Sequence, residues 1–149
     1  MLGRREFLGA TAGLTVLPAT GRAAASDRVR VAVSGLRSRG LDHLKLFSAD
    51  PGAEVVAVCD VDDKMIGKAM ERIPSSGGKT PRSEKDFRRL LDDKSIDAVT
   101  IATPDHWHGM MTVMACQAGK DVYVEKPASH NVVEGRRMVE AARNHRRVV

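Results

Sequence analysis

The stretch 29-VRVAVSGLRSRG-40 decides how the rest of the sequence is read. Val29, Val31, Ala32 and Val33 form a short, nearly continuous apolar run. Such a run fits a strand buried on both faces. It stops at Gly35, and Gly40 follows five residues later. A strand that passes through a glycine turn into a helix opens a βαβ unit.

The same alternation continues downstream. A helix is predicted from about Gly40 to Ala49, closed by the turn Asp50-Pro51-Gly52. Glu54 to Cys59 predicts a second apolar strand, and a helix follows from about Asp62 to Arg72, ahead of Pro74. Ser75-Ser76-Gly77-Gly78 reads as loop, and Lys79 to Arg82 as a short edge strand. Ser83-Glu84-Lys85-Asp86 has the spacing of a capping box, opening a helix with Phe87, Leu90 and Leu91 on one face. Asp97 to Ala102 is the next strand, followed by a helix from about His108 to Ala118 that Gly119 ends. A strand over Asp121 to Val124 and a helix from the cap at Asn131 to about His145 complete the pattern. Buried strands alternating with helices imply right-handed crossovers, a parallel sheet and helices on both of its faces. Arg146-Arg147-Val148-Val149 reads as the beginning of one more strand, so the expectation is a sheet truncated at its last strand.

Composition fits one soluble domain: 149 residues, 42% hydrophobic and 29% charged. Aromatics are only 3%, so aliphatic residues and methionine must build the core. The net charge is +5, of which +2 falls in residues 1–25 and +3 in 26–149. This mild excess, without interleaved aromatics, argues against a nucleic-acid partner. Cys59 and Cys116 show no metal-ligand spacing and are expected to be buried free thiols.

Residues 1–25, MLGRREFLGATAGLTVLPATGRAAA, read as a targeting segment. Arg4-Arg5 precede an apolar stretch from Phe7 to Pro18, too short to span a bilayer, and Ala23-x-Ala25 offers a cleavage site before Ser26. Gly3-Arg4-Arg5-Glu6-Phe7-Leu8 resembles a twin-arginine export signal, with Gly3 where Ser or Thr is usual. The expectation is export by that route to the periplasm or beyond the cytoplasm, with no stable membrane anchor, and a domain over 26–149.

Three turns carry the candidate chemistry. Gly35-Leu36-Arg37-Ser38-Arg39-Gly40 matches the first and last glycines of a dinucleotide fingerprint, with Arg37 in the middle position. Arg37 and Arg39 are placed to contact phosphates at the helix N-terminus. Asp60, 25 residues after Gly35, ends the second strand where a carboxylate would bind the adenosine ribose. A carboxylate there repels a 2′-phosphate, so NAD is favoured over NADP. Two glycines can also be a plain turn, and Asp60 can simply open one. Their order along the chain makes the cofactor reading the better one, and with it a Rossmann-type, doubly wound α/β fold. The second turn is Thr103-Pro104-Asp105-His106-Trp107-His108. His106 and His108 lack partners for a ligand set, so no metal is expected. The third is Glu125-Lys126-Pro127, which ends the strand over Asp121 to Val124.

Together TPDHWH, AGKDVYVEKP and EGRRMVEAAR resemble the N-terminal half of the Gfo/Idh/MocA oxidoreductases over essentially all of residues 28–149. The resemblance implies a Rossmann domain that pairs, in the family, with a C-terminal substrate domain not found in these residues. By position it makes Gly35, Arg39, Gly40 and Asp60 cofactor-binding, and sets Thr103, Pro104 and His108 beside the nicotinamide half. Lys126 would lie near the nicotinamide and the reacting carbon of a sugar or polyol-like substrate. Hydride transfer needs a proton acceptor and a charge to stabilise an alkoxide. Lys126 supplies that charge, and Glu125 is expected to pair with Lys126 and orient it. A plain surface ion pair before a proline turn is the alternative. The function expected is the NAD-binding domain of an exported oxidoreductase, inactive as this chain. Two alternatives stand beside it: the cofactor domain of an NAD-dependent glycosidase of the same family, and a non-catalytic nucleotide-binding remnant. Apolar surface left exposed would favour homo-oligomers.

Overall fold

A computed structural model describes residues 28–73 and 80–149. The proposed signal at 1–25 and the loop at 75–78 lie outside the described residues. The order of elements is β1 (Val29–Ser34), α1 (Ser38–Ala49), β2 (Ala53–Cys59), α2 (Asp63–Arg72), β3 (Arg82–Glu84), α3 (Phe87–Asp92), β4 (Ala98–Ile101), α4 (Asp105–Gln117), β5 (Asp121–Val124) and α5 (Val132–His145). Five parallel strands pair in the order β3-β2-β1-β4-β5. This is a Rossmann-like α/β sheet. From β1 the chain winds outward to β2 and β3, then crosses to β4 and β5. The carboxyl ends of β1 and β4 therefore flank the point where the winding reverses, the place where an open α/β sheet forms a ligand crevice.

Alternation along the strands divides the core. Val33, Val55 and Val58 pack with Leu36, Leu44, Met65 and Ala69 against α1 and α2. Ala32, Ala57, Val99, Ile101 and Val122 pack with Leu90, Met111, Ala115 and Ala141 on the other face. The register slips between Val31 and Ala32, where β2 carries one extra residue, Val56. Cys59 and Cys116 are both buried and unbridged. Burial pushes the Cys59 thiol up to about 12.

Several boundaries differ from expectation for local reasons. Helix α1 begins at Ser38 rather than Gly40, because Gly40 is needed inside its first turn. The capping box expected at Ser83 is not formed. Ser83 and Glu84 pair with Val58 and Cys59 of β2, and Asp86 alone caps α3 through its bond from Arg88 N–H. The edge strand thereby falls at Arg82–Glu84. Helix α4 starts at Asp105, three residues ahead of the predicted start, with Pro104 at its N-cap position. Asn131 caps α5 as expected, accepting from Glu134 N–H while its own amide donates to Glu134. At the far edge, Val122 N–H donates to Val148 O at 2.9 Å, so the final residues lie alongside β5.

The approach of α1 to the sheet leaves no room for side chains. A Cβ on Gly40 would overlap the carbonyl oxygen of Gly35. A Cβ on Gly35, where φ is +81°, would lie 2.6 Å from the Ala102 backbone. Gly40→Ala is expected to destabilise the fold by about 3 kcal/mol, because backbone must move to admit the methyl. Chemical denaturation would show this as a lower midpoint, and an unchanged midpoint would contradict the close contact.

Candidate functional site

The turns after β1, β2 and β4 converge at the carboxyl end of the sheet. Gly35 N–H donates to Cys59 O, and Ala102 N–H donates to Ser34 O, which locks the first turn between its two neighbours. Asp60 sits against that turn. Its Oδ2 accepts from Leu36 N–H at 2.7 Å and its Oδ1 from Asp62 N–H at 3.0 Å. Helix α1 starts here without a side-chain cap and with no acidic residue in its first turn. Such a helix end presents backbone N–H groups and a partial positive charge to an anion. A cavity of about 790 Å³ lies over these turns, lined by Gly35, Arg37, Asp60, Thr103 and Pro104 among others. Phe87 of α3 and Trp107, Met110 and Met114 of α4 supply an apolar wall. The sequence reading missed this wall, because residues on two helices meet only when the sheet sets their spacing.

The arginines of the glycine turn are engaged. Arg37 extends to Asp62 at 3.0 Å, with its side chain 74% exposed. Arg39 bonds Asp42 at 3.0 Å and Glu125 at 2.8 Å. Arg37 spends a single Nη2–H on Asp62, which leaves N–H groups of its guanidinium open to a phosphate, whereas Arg39 uses Nε, Nη1 and Nη2 on Asp42 and Glu125.

Arg39, Gly40, His108, Glu125 and Lys126 lie outside the lining of that cavity. The expected pairing of Glu125 with Lys126 is corrected. Glu125 Oε1 instead accepts from Arg39 Nε at 3.2 Å, Arg39 Nη2 at 2.8 Å and His43 Nε2 at 2.9 Å. Lys126 reaches Glu125 only through its backbone N–H, at 3.3 Å to Oε2. The Lys126 side chain is exposed, and its ammonium meets no carboxylate among the described residues. The physical reason is reach: α1 puts two donors under the β5 end, while the lysine leaves the strand in the next peptide. Hydrogen bonds from His43 and then Arg39 hold the Glu125 carboxyl down to about 2.

His108 braces the same region from α4. A carbonyl oxygen stands 2.8 Å from each of its ring nitrogens, Pro127 O at Nδ1 and Thr103 O at Nε2. The ring is buried and links the turn after β4 to the turn after β5. Asp105 contacts His130 at 3.3 Å and His106 at 3.8 Å. Among the described residues, no three His, Cys, Asp or Glu side chains gather to hold a metal ion.

With this geometry in view, residues 29–149 match the sequence profile of the GFO_IDH_MocA oxidoreductases, described as an NAD-binding Rossmann fold. The chain belongs to the Gfo/Idh/MocA family. Among curated relatives of this family member, a glycosyl hydrolase family 109 protein of Stenotrophomonas maltophilia is 39% identical over 131 residues, covering 82% of this chain and 29% of the relative. The chain thus spans under a third of that relative's length. Among solved structures, the Gfo/Idh/MocA domain is similar to myo-inositol 2-dehydrogenase from Lactobacillus plantarum, with a TM-score of 0.71 and 26% identity over 79% of this chain and 34% of that one. It is also similar to the WlbA dehydrogenase from Chromobacterium violaceum, solved with NADH and UDP-GlcNAcA, with a TM-score of 0.74 and 26% identity over 85% of this chain and 36% of that one.

The Glu125 cluster has a pH signature. Glu125 is lowered from its ordinary 4.5 to about 2. A carboxyl depressed on folding stabilises fully above its unfolded value, and that contribution is lost as pH falls toward the folded value. Thermal midpoints from pH 6 down to pH 2.5 should therefore fall more steeply for the wild-type chain than for Glu125→Gln. Parallel curves would remove Glu125 from this role.

Proposed function

We propose that this chain is the cofactor-binding part of an exported enzyme that moves a hydride between NAD and a carbon of a sugar or polyol-like substrate. The observation that carries the reading is the Asp60 carboxylate set against the Gly35 turn, in one cavity with Thr103 and Pro104. Residues of this chain fit the cofactor in kind. Asp60 retains acceptor capacity on both oxygens for ribose hydroxyls, and its charge disfavours a 2′-phosphate. The uncapped first turn of α1 suits a pyrophosphate. The nicotinamide ring, when bound, accepts or returns the hydride. Lys126, whose ammonium meets no carboxylate among the described residues, supplies the positive charge that steadies a developing alkoxide. Glu125 holds the strand end in place and is not the partner of the lysine side chain.

A second reading is glycoside hydrolysis by transient oxidation of the sugar, with the hydride returned after the glycosidic bond is lost. It is favoured by the 39% identity to the glycosyl hydrolase family 109 protein, against 26% to the two dehydrogenases. Net accumulation of NADH marks the first chemistry, and release of the leaving group at constant NAD marks the second. The 149-residue chain alone is expected to do neither, since it spans 29% of the glycosyl hydrolase relative and 34% and 36% of the two dehydrogenases. Turnover of either kind would refute that expectation.

Calorimetric titration should show NAD bound more tightly than NADP. Asp60→Ala should weaken NAD by about tenfold and narrow the gap to NADP. If neither dinucleotide binds, the cofactor reading is lost; if the ratio is unchanged, Asp60 is not the discriminating group. Export rests on residues 1–25, and Arg4-Arg5→Lys-Lys should abolish delivery to the periplasm in cell fractionation.

A further inference from the structure

We infer that His43 and Arg39 are positioning residues, which reach from α1 to hold Glu125 and so fix the turn that carries Lys126. The inference rests on the NAD reading above. Three N–H groups of these two side chains converge on the single oxygen Oε1 of Glu125. His43 is 2% exposed and Glu125 8%. A charge-assisted bond is stronger when water is excluded, and here both partners are out of solvent.

The way His43 is buried separates this role from simple packing. Its Nδ1 has no hydrogen-bond partner among the described residues. A buried ring nitrogen left without a partner is destabilising. A leucine would fill the slot, under the Tyr123 ring whose centroid lies 5.1 Å away, without stranding a polar atom. What only the histidine provides is the Nε2–H aimed at Oε1. The fold keeps that donor although it leaves Nδ1 unmet.

The consequence falls on Lys126. With Oε1 held by α1, the carboxylate meets the lysine only through the backbone N–H at Oε2. The ammonium is left clear of Glu125. The helix that holds Glu125 is also the one whose uncapped N-terminus follows the Gly35 turn, and that turn lines the cavity. One rigid element thus spaces the pyrophosphate end of the site from the Lys126 turn.

ADP-ribose, which carries the adenosine and pyrophosphate but no nicotinamide, separates this role from a phosphate-binding or folding role. Titrations of NAD and ADP-ribose would be run on the full chain and on His43→Leu, His43→Gln and Arg39→Gln. His43→Leu should lose about tenfold in NAD affinity with ADP-ribose unchanged, and His43→Gln, whose amide can donate near the Nε2 position, should restore NAD binding to within about twofold. Arg39 is half exposed, so Arg39→Gln keeps the test open if His43→Leu does not fold. It should lose NAD affinity selectively in the same way. Equal losses for NAD and ADP-ribose, no loss of either, or a glutamine variant as weak as leucine would each overturn the inference. A wild-type chain that binds neither ligand would overturn the cofactor reading itself.

Discussion

The carboxyl end of this sheet depends on one contact, the seating of Gly40 on the carbonyl of Gly35. Because neither residue has a Cβ, α1 starts almost on top of β1. The turn between them is then short enough for Leu36 N–H to meet Asp60. The same approach carries Arg39 and His43, one helical turn apart, beneath the end of β5. A wider turn would move α1 outward and separate both carboxylates, Asp60 and Glu125, from their donors.

Charge at this end is arranged by pairing rather than by excess. The chain is basic overall, yet the two arginines of the glycine turn are engaged by Asp62, Asp42 and Glu125. The cavity is lined by Gly35 of the turn and by Asp60, and the uncapped first turn of α1 follows directly from that turn. Those groups suit a ligand with a phosphate at one position and hydroxyls at another. Meanwhile Glu125, deeply ionised and held from α1, leaves the neighbouring lysine without a carboxylate partner among the described residues. These two adjacent residues of opposite charge meet through the Lys126 backbone N–H and not, among the described residues, through their side chains.

Much of this was legible in the residues. Apolar runs at Val31–Val33, Val55–Val58 and Val99–Ile101 announced strands buried on both faces, and the intervening amphipathic stretches announced helices. Gly35, Gly40 and Asp60 announced the first βαβ unit, since a tight turn leaves few alternatives to glycine. Less legible were contacts between residues far apart in the chain. His43 and Glu125 are separated by 82 positions, and a lone polar residue in a helix reads as surface. Arg39 and His43 at i and i+4 on one face were the available hint. The adjacency of Glu125 and Lys126 suggested an ion pair, but adjacency along a strand end does not bring side chains together. Ser83 shows the opposite failure: its capping potential lost to pairing with β2, because a backbone ladder satisfies donors that a cap would otherwise serve.

The amino-acid sequence by itself determined the fold class, the order of strands and helices, and the position of the glycine turn. These follow from periodicity and from backbone sterics, which act over a few residues. Tertiary structure alone decided which donors reach Glu125, which face of the turn the arginines take, and which helices wall the cavity. Those outcomes depend on where α1, α3 and α4 lie across the sheet, and no spacing along the chain encodes a distance between elements that meet only after folding.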